Sequence, residues 1–99
     1  MRMLFMVGLC AVLPAFGHAG AIERACLGSD RAAGNRALCD CIQDAANLTL
    51  SGTDQQLAAS FFKDPHRAQE IRQSSRRTHE VFWERYVEFG AMAETFCRR

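Results

Sequence analysis

The stretch RACLGSDRAAGNRALCDCIQ, residues 24–43, decides the fold because it carries three of the chain's cysteines. These are Cys26, Cys39 and Cys41, and a further cysteine, Cys97, stands near the end of the chain. Four cysteines in a short exported chain are typical of two disulfides. We therefore interpret the stretch as a covalent staple of a small domain, a role that leaves the biochemical activity undetermined.

The spacing of these cysteines argues against metal and redox chemistry. Structural zinc sites usually pair their ligands as C-x2-4-C and haem attachment uses C-x-x-C-H, whereas this chain has C-x12-C-x-C-x55-C. A reactive dithiol normally lies in a βαβ unit, and no strand pattern is found here. We predict no metal site and no cofactor.

The first residues, MRMLFMVGLCAVLPAFGHAGA, have the three-part layout of a secretory signal peptide. Arg2 is followed by an uncharged, mostly apolar run that is shorter than the about 20 residues needed to cross a bilayer. We predict a signal peptide over residues 1–21, cleaved after Ala21, with cleavage after Ala19 as the alternative. The fifth cysteine, Cys10, leaves with it.

The charge balance excludes two classes of partner. The chain has twelve Lys and Arg against eleven Asp and Glu, and Arg2 lies in the predicted leader, so residues 22–99 are formally neutral. Binding to nucleic acid or to an anionic membrane surface normally requires a basic excess. We predict no nucleic-acid partner, and no membrane span after signal cleavage.

Helix geometry narrows the pairing of the cysteines. Residues two apart on a helix point about 200° apart, so Cys39 and Cys41 do not bond each other. We favour Cys41 with Cys97 and Cys26 with Cys39, and the pairing of Cys26 with Cys41 and Cys39 with Cys97 stays open. We place the short turn 22–27 at the periphery, and so expect the Cys97 link to matter more for stability.

Helical periodicity is the only regular pattern in residues 22–99. A helix capped by Asn35 or Gly34 runs to about Leu50, Thr53 and Gln56 form a capping-box pattern, and Asp64-Pro65 opens a mostly polar helix. The predicted fold is a single all-α domain, a small disulfide-bonded bundle of three to four helices. The expected core comprises Ile22, Leu27, Leu38, Ile42, Leu48, Leu50, Leu57, Phe61, Phe62, Ile71, Val81, Phe82, Trp83, Tyr86, Val87, Phe89, Met92 and Phe96.

Four side chains are candidates for binding: His66, His79, Trp83 and Arg85. His66 opens the polar helix, where we expect its imidazole to be exposed. Trp83 is interpreted as a core edge or an exposed contact for a partner. No nucleophile–base arrangement, carboxylate pair or phosphate loop can be assembled, so we predict no catalytic residues and no enzyme activity.

His79 and Arg85 lie near the centre of the apolar face of the last helix, which begins at about Arg76. Polar groups in such a place need partners. Asp40 and Asp44 flank the core face of the cysteine helix, and we expect one of them to pair with Arg85. A structural ion pair is the favoured interpretation, and a ligand pocket is the alternative.

The segments CDCIQ, FFKDPHRAQEIRQS and FWERY, with the terminal cysteine, resemble a family of short exported bacterial proteins that are often named "arginine transporter". The likeness covers nearly all of residues 22–97. If arginine is involved, the resemblance implies an accessory or solute-binding role in its uptake.

These patterns together predict a periplasmic or secreted, non-enzymatic binding or protein-interaction module. Its partner is an unknown periplasmic protein or a small solute. Two alternatives stay open, an accessory component linked to arginine uptake and a periplasmic stress chaperone. A partner-binding module predicts exposed aromatic surface around Trp83, a solute binder predicts a closed pocket near Arg85 and His79, and a chaperone predicts loosening by acid or by reduction.

Overall fold

The computed structural model describes residues 20–29 and 35–97, which form a small all-α, disulfide-bonded fold. The predicted signal peptide, including Cys10, lies outside the described residues, apart from its last two positions. The described residues contain no strand. Their helices are α1 (Ala21–Leu27), α2 (Arg36–Thr49), α3 (Gly52–Lys63), α4 (Pro65–Arg72) and α5 (Arg77–Phe96).

Both disulfides pair as favoured from the sequence. Cys26 is bonded to Cys39 and Cys41 to Cys97, with Cα–Cα distances of 5.6 and 5.7 Å. Because Cys39 and Cys41 point to different sides of α2, the first bond fastens α1 to one side and the second fastens the end of α5 to the other. The helix α2 is therefore cross-linked twice.

The placement of residues 22–27 at the periphery was wrong. They belong to the helix α1, which packs against both α2 and α3. Ile22 is 0% exposed and is part of the main core, and Cys26 is buried with Cys39 against Leu27 and Phe62. The first helix is thus part of the core and not peripheral. With it the described residues form five helices, more than the three to four expected.

Two of the helix starts follow the predicted chemistry and one does not. The side chain of Asn35 accepts a hydrogen bond from the backbone N–H of Leu38, which confirms the cap of α2. Pro65 occupies the first turn of α4, as predicted. The capping box of α3 is formed by Ser51 and Asp54 instead of Thr53 and Gln56, because the helix begins at Gly52, two residues earlier than the pattern implied.

The core takes residues from all five helices, and its aromatic part lies where α3 meets α5. Phe61 on α3 packs edge-on against Phe82 and Tyr86, with ring centroids 6.0 and 5.2 Å apart. Ile71 is the buried residue of the otherwise polar helix α4. α5 continues past Gly90, which faces open space, so no neighbour packs closely against this glycine.

Three residues expected in the core are exposed instead. Leu48 is 75%, Phe96 72% and Val87 55% exposed. Helical periodicity identifies the apolar side of a helix but not how far the neighbouring helices extend over it.

The buried position of α1 reverses the expected ranking of the disulfides. The bonds span separations of 13 and 56 residues, and loop-closure entropy favours the longer one by only about 1 kcal/mol. Release of α1 would withdraw Ile22 from the core at a cost of about 2 kcal/mol, in addition to uncovering its neighbours. We expect the double variant Cys26→Ala, Cys39→Ala to lower the melting temperature at least as much as Cys41→Ala, Cys97→Ala.

Thermal unfolding followed by circular dichroism measures this ranking. Each variant removes both partners of one bond, so no free thiol remains to exchange. A clearly larger loss for the Cys41–Cys97 variant would mean that α1 stays docked without its disulfide.

Candidate functional site

The four candidate binding residues do not converge on one site. His66 is exposed at the start of α4, where its Nε2 lies 3.7 Å from Glu70. His79 lies near the start of α5, and its Nδ1 is 2.7 Å from the hydroxyl of Ser74. Trp83 is half-buried against Tyr86, with ring centroids 5.0 Å apart, so it is a core edge and not an exposed aromatic patch.

Arg85 forms an ion pair within the fold, but with a different residue from the one expected. Its Nε and NH2 groups donate to the two carboxylate oxygens of Asp54 at 2.7 and 3.0 Å. The Asp54 side chain is 7% exposed, whereas that of Arg85 is 42% exposed. Asp40 and Asp44, named from the sequence, are both exposed, because α2 turns them away from this part of α5.

Asp54 serves two structural purposes at once. It completes the capping box by accepting the backbone N–H of Ser51 at 3.1 Å, and it holds α5 to the start of α3 through Arg85. Sequence reasoning missed it because the pairing of residues 31 positions apart depends on how α3 lies on α5. A carboxylate three residues after a serine is the local signal that identifies its capping role.

This ion pair makes the contribution of Asp54 to stability depend on pH. The guanidinium of Arg85 is the main cause that holds the pKa of Asp54 below its ordinary value of 3.8; burial opposes it, and the hydrogen bonds to Ser51 add to it. The same pairing raises the pKa of Arg85. Since the carboxyl pKa is lower in the folded chain, the contribution of Asp54 to stability is complete above the ordinary pKa and is lost as pH falls through the lowered one.

We predict that Asp54→Asn lowers stability at neutral pH and makes the loss of stability below about pH 4 less steep. Urea unfolding at a series of pH values measures both effects. Glu70→Gln is the matched control, because Glu70 pairs with Arg67 in an exposed contact that contributes little. An unchanged acid profile in Asp54→Asn would contradict the assignment.

A buried amide, Gln43, joins three helices and was not foreseen. Its Oε1 accepts the backbone N–H of Glu23 in α1 at 2.8 Å, and its Nε2 donates to Asn47 at 2.9 Å and to Gln55 in α3 at 2.8 Å. Gln43 is one of two buried polar residues in the described part of the chain; Asp54 is the other. Its partners satisfy it fully, so it is a structural connector and not a vacant ligand group.

An apolar groove runs between α2 and α5 beside the Cys41–Cys97 disulfide. Its volume is about 290 Å³, and Leu48 and Phe96 stand at its edges. Phe96 also borders a second hollow of about 370 Å³ on the other side of the disulfide. The groove is lined by Cys41, Asp44, Ala45, Leu48, Met92 and Phe96.

One acidic side chain lines this groove, and a second lies on the helix opposite. Asp44 lines it on α2, one turn before Leu48. On α5, the exposed Glu88 lies one turn before Met92 and beside the same stripe. Of the residues that line the groove, none is basic.

A larger hollow of about 450 Å³ lies between α1 and α3 and is more polar. Its lining includes Arg24 and Lys63, together with Ser29 and Ser60, whose hydroxyls donate to the backbone carbonyls of Cys26 and Leu57. Phe62 forms part of its apolar wall. The hydroxyls are thus already engaged, and nothing in the lining selects one ligand.

The described residues contain no group of three or more His, Cys, Asp or Glu side chains placed to hold a metal ion. None of the five helices combines the length and the apolar character needed to cross a membrane. Comparison of the chain with protein-family models, with curated proteins and with solved structures finds no match. The likeness to "arginine transporter" proteins therefore stays an interpretation of the sequence.

Free arginine would bind through a carboxylate whose oxygens are open to its guanidinium. Asp54 is the buried carboxylate of the described residues, and Arg85 of the same chain already occupies both of its oxygens. We predict that isothermal titration calorimetry of the oxidised protein with free arginine shows no stoichiometric binding in the micromolar range. Arg85→Ala removes the partner of Asp54. This variant is the control that shows whether an unpaired Asp54 carboxylate binds arginine. Micromolar binding by the unaltered chain would restore the arginine-linked alternative.

Proposed function

We propose that this chain is exported to the periplasm and that its helical domain is a non-enzymatic binding module. Its binding surface is the apolar groove between α2 and α5, and its partner is a protein segment that combines apolar side chains with lysine or arginine. The observation that carries this proposal is the exposure of Leu48 and Phe96, at 75 and 72%, on the edges of one groove.

The cost of leaving these side chains in water supports the proposal. Burial of a leucine or a phenylalanine stabilises a domain by about 2 kcal/mol, and a domain of this size has little apolar area to spare. Scattered exposed apolar residues are ordinary, but two that border a common hollow form a patch of the kind that binds partners. Val87, on the far side of α5, is a scattered exposed apolar residue of the ordinary kind.

The disulfide between Cys41 and Cys97 supports a preformed site. It ties the walls of the groove together, since Cys41 lines the groove on α2 and Cys97 follows directly after Phe96 on α5. Walls held in place before binding reduce the entropy lost when a partner docks. Disulfides of this kind persist in oxidising compartments, which supports the proposed export.

The acidic border selects the chemistry of the partner. Asp44 lines the groove on α2, and Glu88 lies one helical turn before the groove-lining Met92 on α5. Complementary basic side chains on the partner speed association and disfavour acidic competitors. An amphipathic helix with lysine or arginine beside its apolar stripe meets both requirements.

Nuclear magnetic resonance with a defined probe tests this surface. We predict that a short amphipathic peptide of leucine and lysine shifts the signals of Leu48, Met92 and Phe96, and that a leucine–glutamate peptide of the same length binds about tenfold more weakly, which corresponds to ~1.4 kcal/mol. The double variant Leu48→Ser, Phe96→Ser should lose binding of the first peptide. Val87→Ser removes another exposed apolar side chain elsewhere on α5 and should leave binding intact.

Two outcomes contradict the proposal. One is equal binding of both peptides, or shifts spread over the whole surface. The other is a concentration-dependent change of the groove signals without peptide, which would mean that a second copy of the chain covers the groove.

A further inference from the structure

The N-terminal cap of α1 is built from two distant parts of the chain. Gly20 is the cap residue and has no side chain to bond the first turn. The carbonyl oxygen of Gln43, on α2, takes that role by accepting the N–H of Glu23 at 2.8 Å. The backbone oxygen of Gly20 accepts the N–H of Arg24 at 3.0 Å, which closes the first turn.

Gly20 is required here by space and not by backbone conformation. Its φ of −72° and ψ of 171° suit any residue. A Cβ at this position would instead lie within 2.8 Å of Nε2 of Gln43 and closer still to the rest of the amide. The amide cannot move aside freely, because its Nε2 donates hydrogen bonds to Asn47 and Gln55. The space beside the Gln43 amide therefore admits only glycine at position 20.

Removal of Gly20 would damage this arrangement. A chain that begins at Ile22 lacks the oxygen that Arg24 bonds and uncovers the buried amide of Gln43. It also puts a charged amino group on Ile22, which is 0% exposed, and burying such a charge is costly. A chain that begins at Gly20 keeps every one of these contacts.

We infer that the leader is cut between Ala19 and Gly20, so that the exported protein begins with Gly20. This inference rests on the proposed export. The bond has small residues, Gly17 and Ala19, at the third and first positions before it, as signal peptidases require. The new amino group is disfavoured at a helix start, but Gly20 is only half-buried and Glu23 supplies a carboxylate in the same turn.

The intact mass of the full chain, expressed in a bacterium and released from the periplasm without reductant, tests the inference. The expected mass is that of residues 20–99 with two disulfides. A mass that begins at Ile22 overturns the inference and leaves the export proposal standing. A chain that retains Met1 and stays in the cytoplasm overturns the export proposal, and the inference with it.

Two substitutions at the competing sites sharpen the result. Ala21→Glu places a charge directly before the alternative bond but after the inferred one, so we expect processing to continue at Gly20. Gly17→Glu places the charge at the third position before the inferred bond and outside the two positions that matter for the alternative bond, and we expect the product that begins at Gly20 to be lost. Failure of Ala21→Glu to be processed would overturn the inference.

A separate measurement tests why Gly20 is kept. We expect Gly20→Ala to lower the melting temperature by several degrees when Gln43 is present, and by much less in a Gln43→Ala background. Gly90→Ala is the control, because a Cβ there meets nothing and alanine favours a helix interior. A Gly20→Ala chain as stable as the unaltered one would remove the structural basis of the inference.

Discussion

The fold depends on α2 being held from two sides at once. Cys39 and Cys41 are two residues apart, so their side chains leave the helix about 200° apart. One bond secures α1 and the other secures the last turn of α5, which makes α2 the covalent centre of the molecule. A core this small fixes the positions of short helices only weakly. Cross-links that constrain the unfolded chain provide much of the stability that burial does not provide.

Much of this arrangement follows from periodicity and local chemistry. The helical class, the Asn35 cap, the helix start at Pro65 and the disulfide pairing were all predicted, because each depends on residues near one another in sequence or on directions around one helix. The partner of Arg85 was not predicted. Its identity depends on the register of α3 against α5, and periodicity carries no information about the register between helices.

The same limit explains the exposed groove. The apolar stripes of α2 and α5 were interpreted as core, yet Leu48 and Phe96 extend past the line where the helices meet. The sequence shows which side chains are apolar. The length over which neighbouring helices overlap determines which of those side chains are buried. The candidate binding surface is therefore a property of packing, and sequence reasoning directed attention to Trp83 instead, which the core partly buries.

Two stripes of α2 make different kinds of contact. Cys39 and Gln43 lie four residues apart on the stripe that faces α1, and Gln43 also reaches α3 through Gln55. Cys41 and Leu48, seven residues apart, share the stripe that meets α5 and forms the groove. Structural polar contacts and the exposed apolar surface thus occupy different sides of one helix. A change at Leu48 therefore removes no partner of Gln43, whose hydrogen bonds go to Glu23, Asn47 and Gln55.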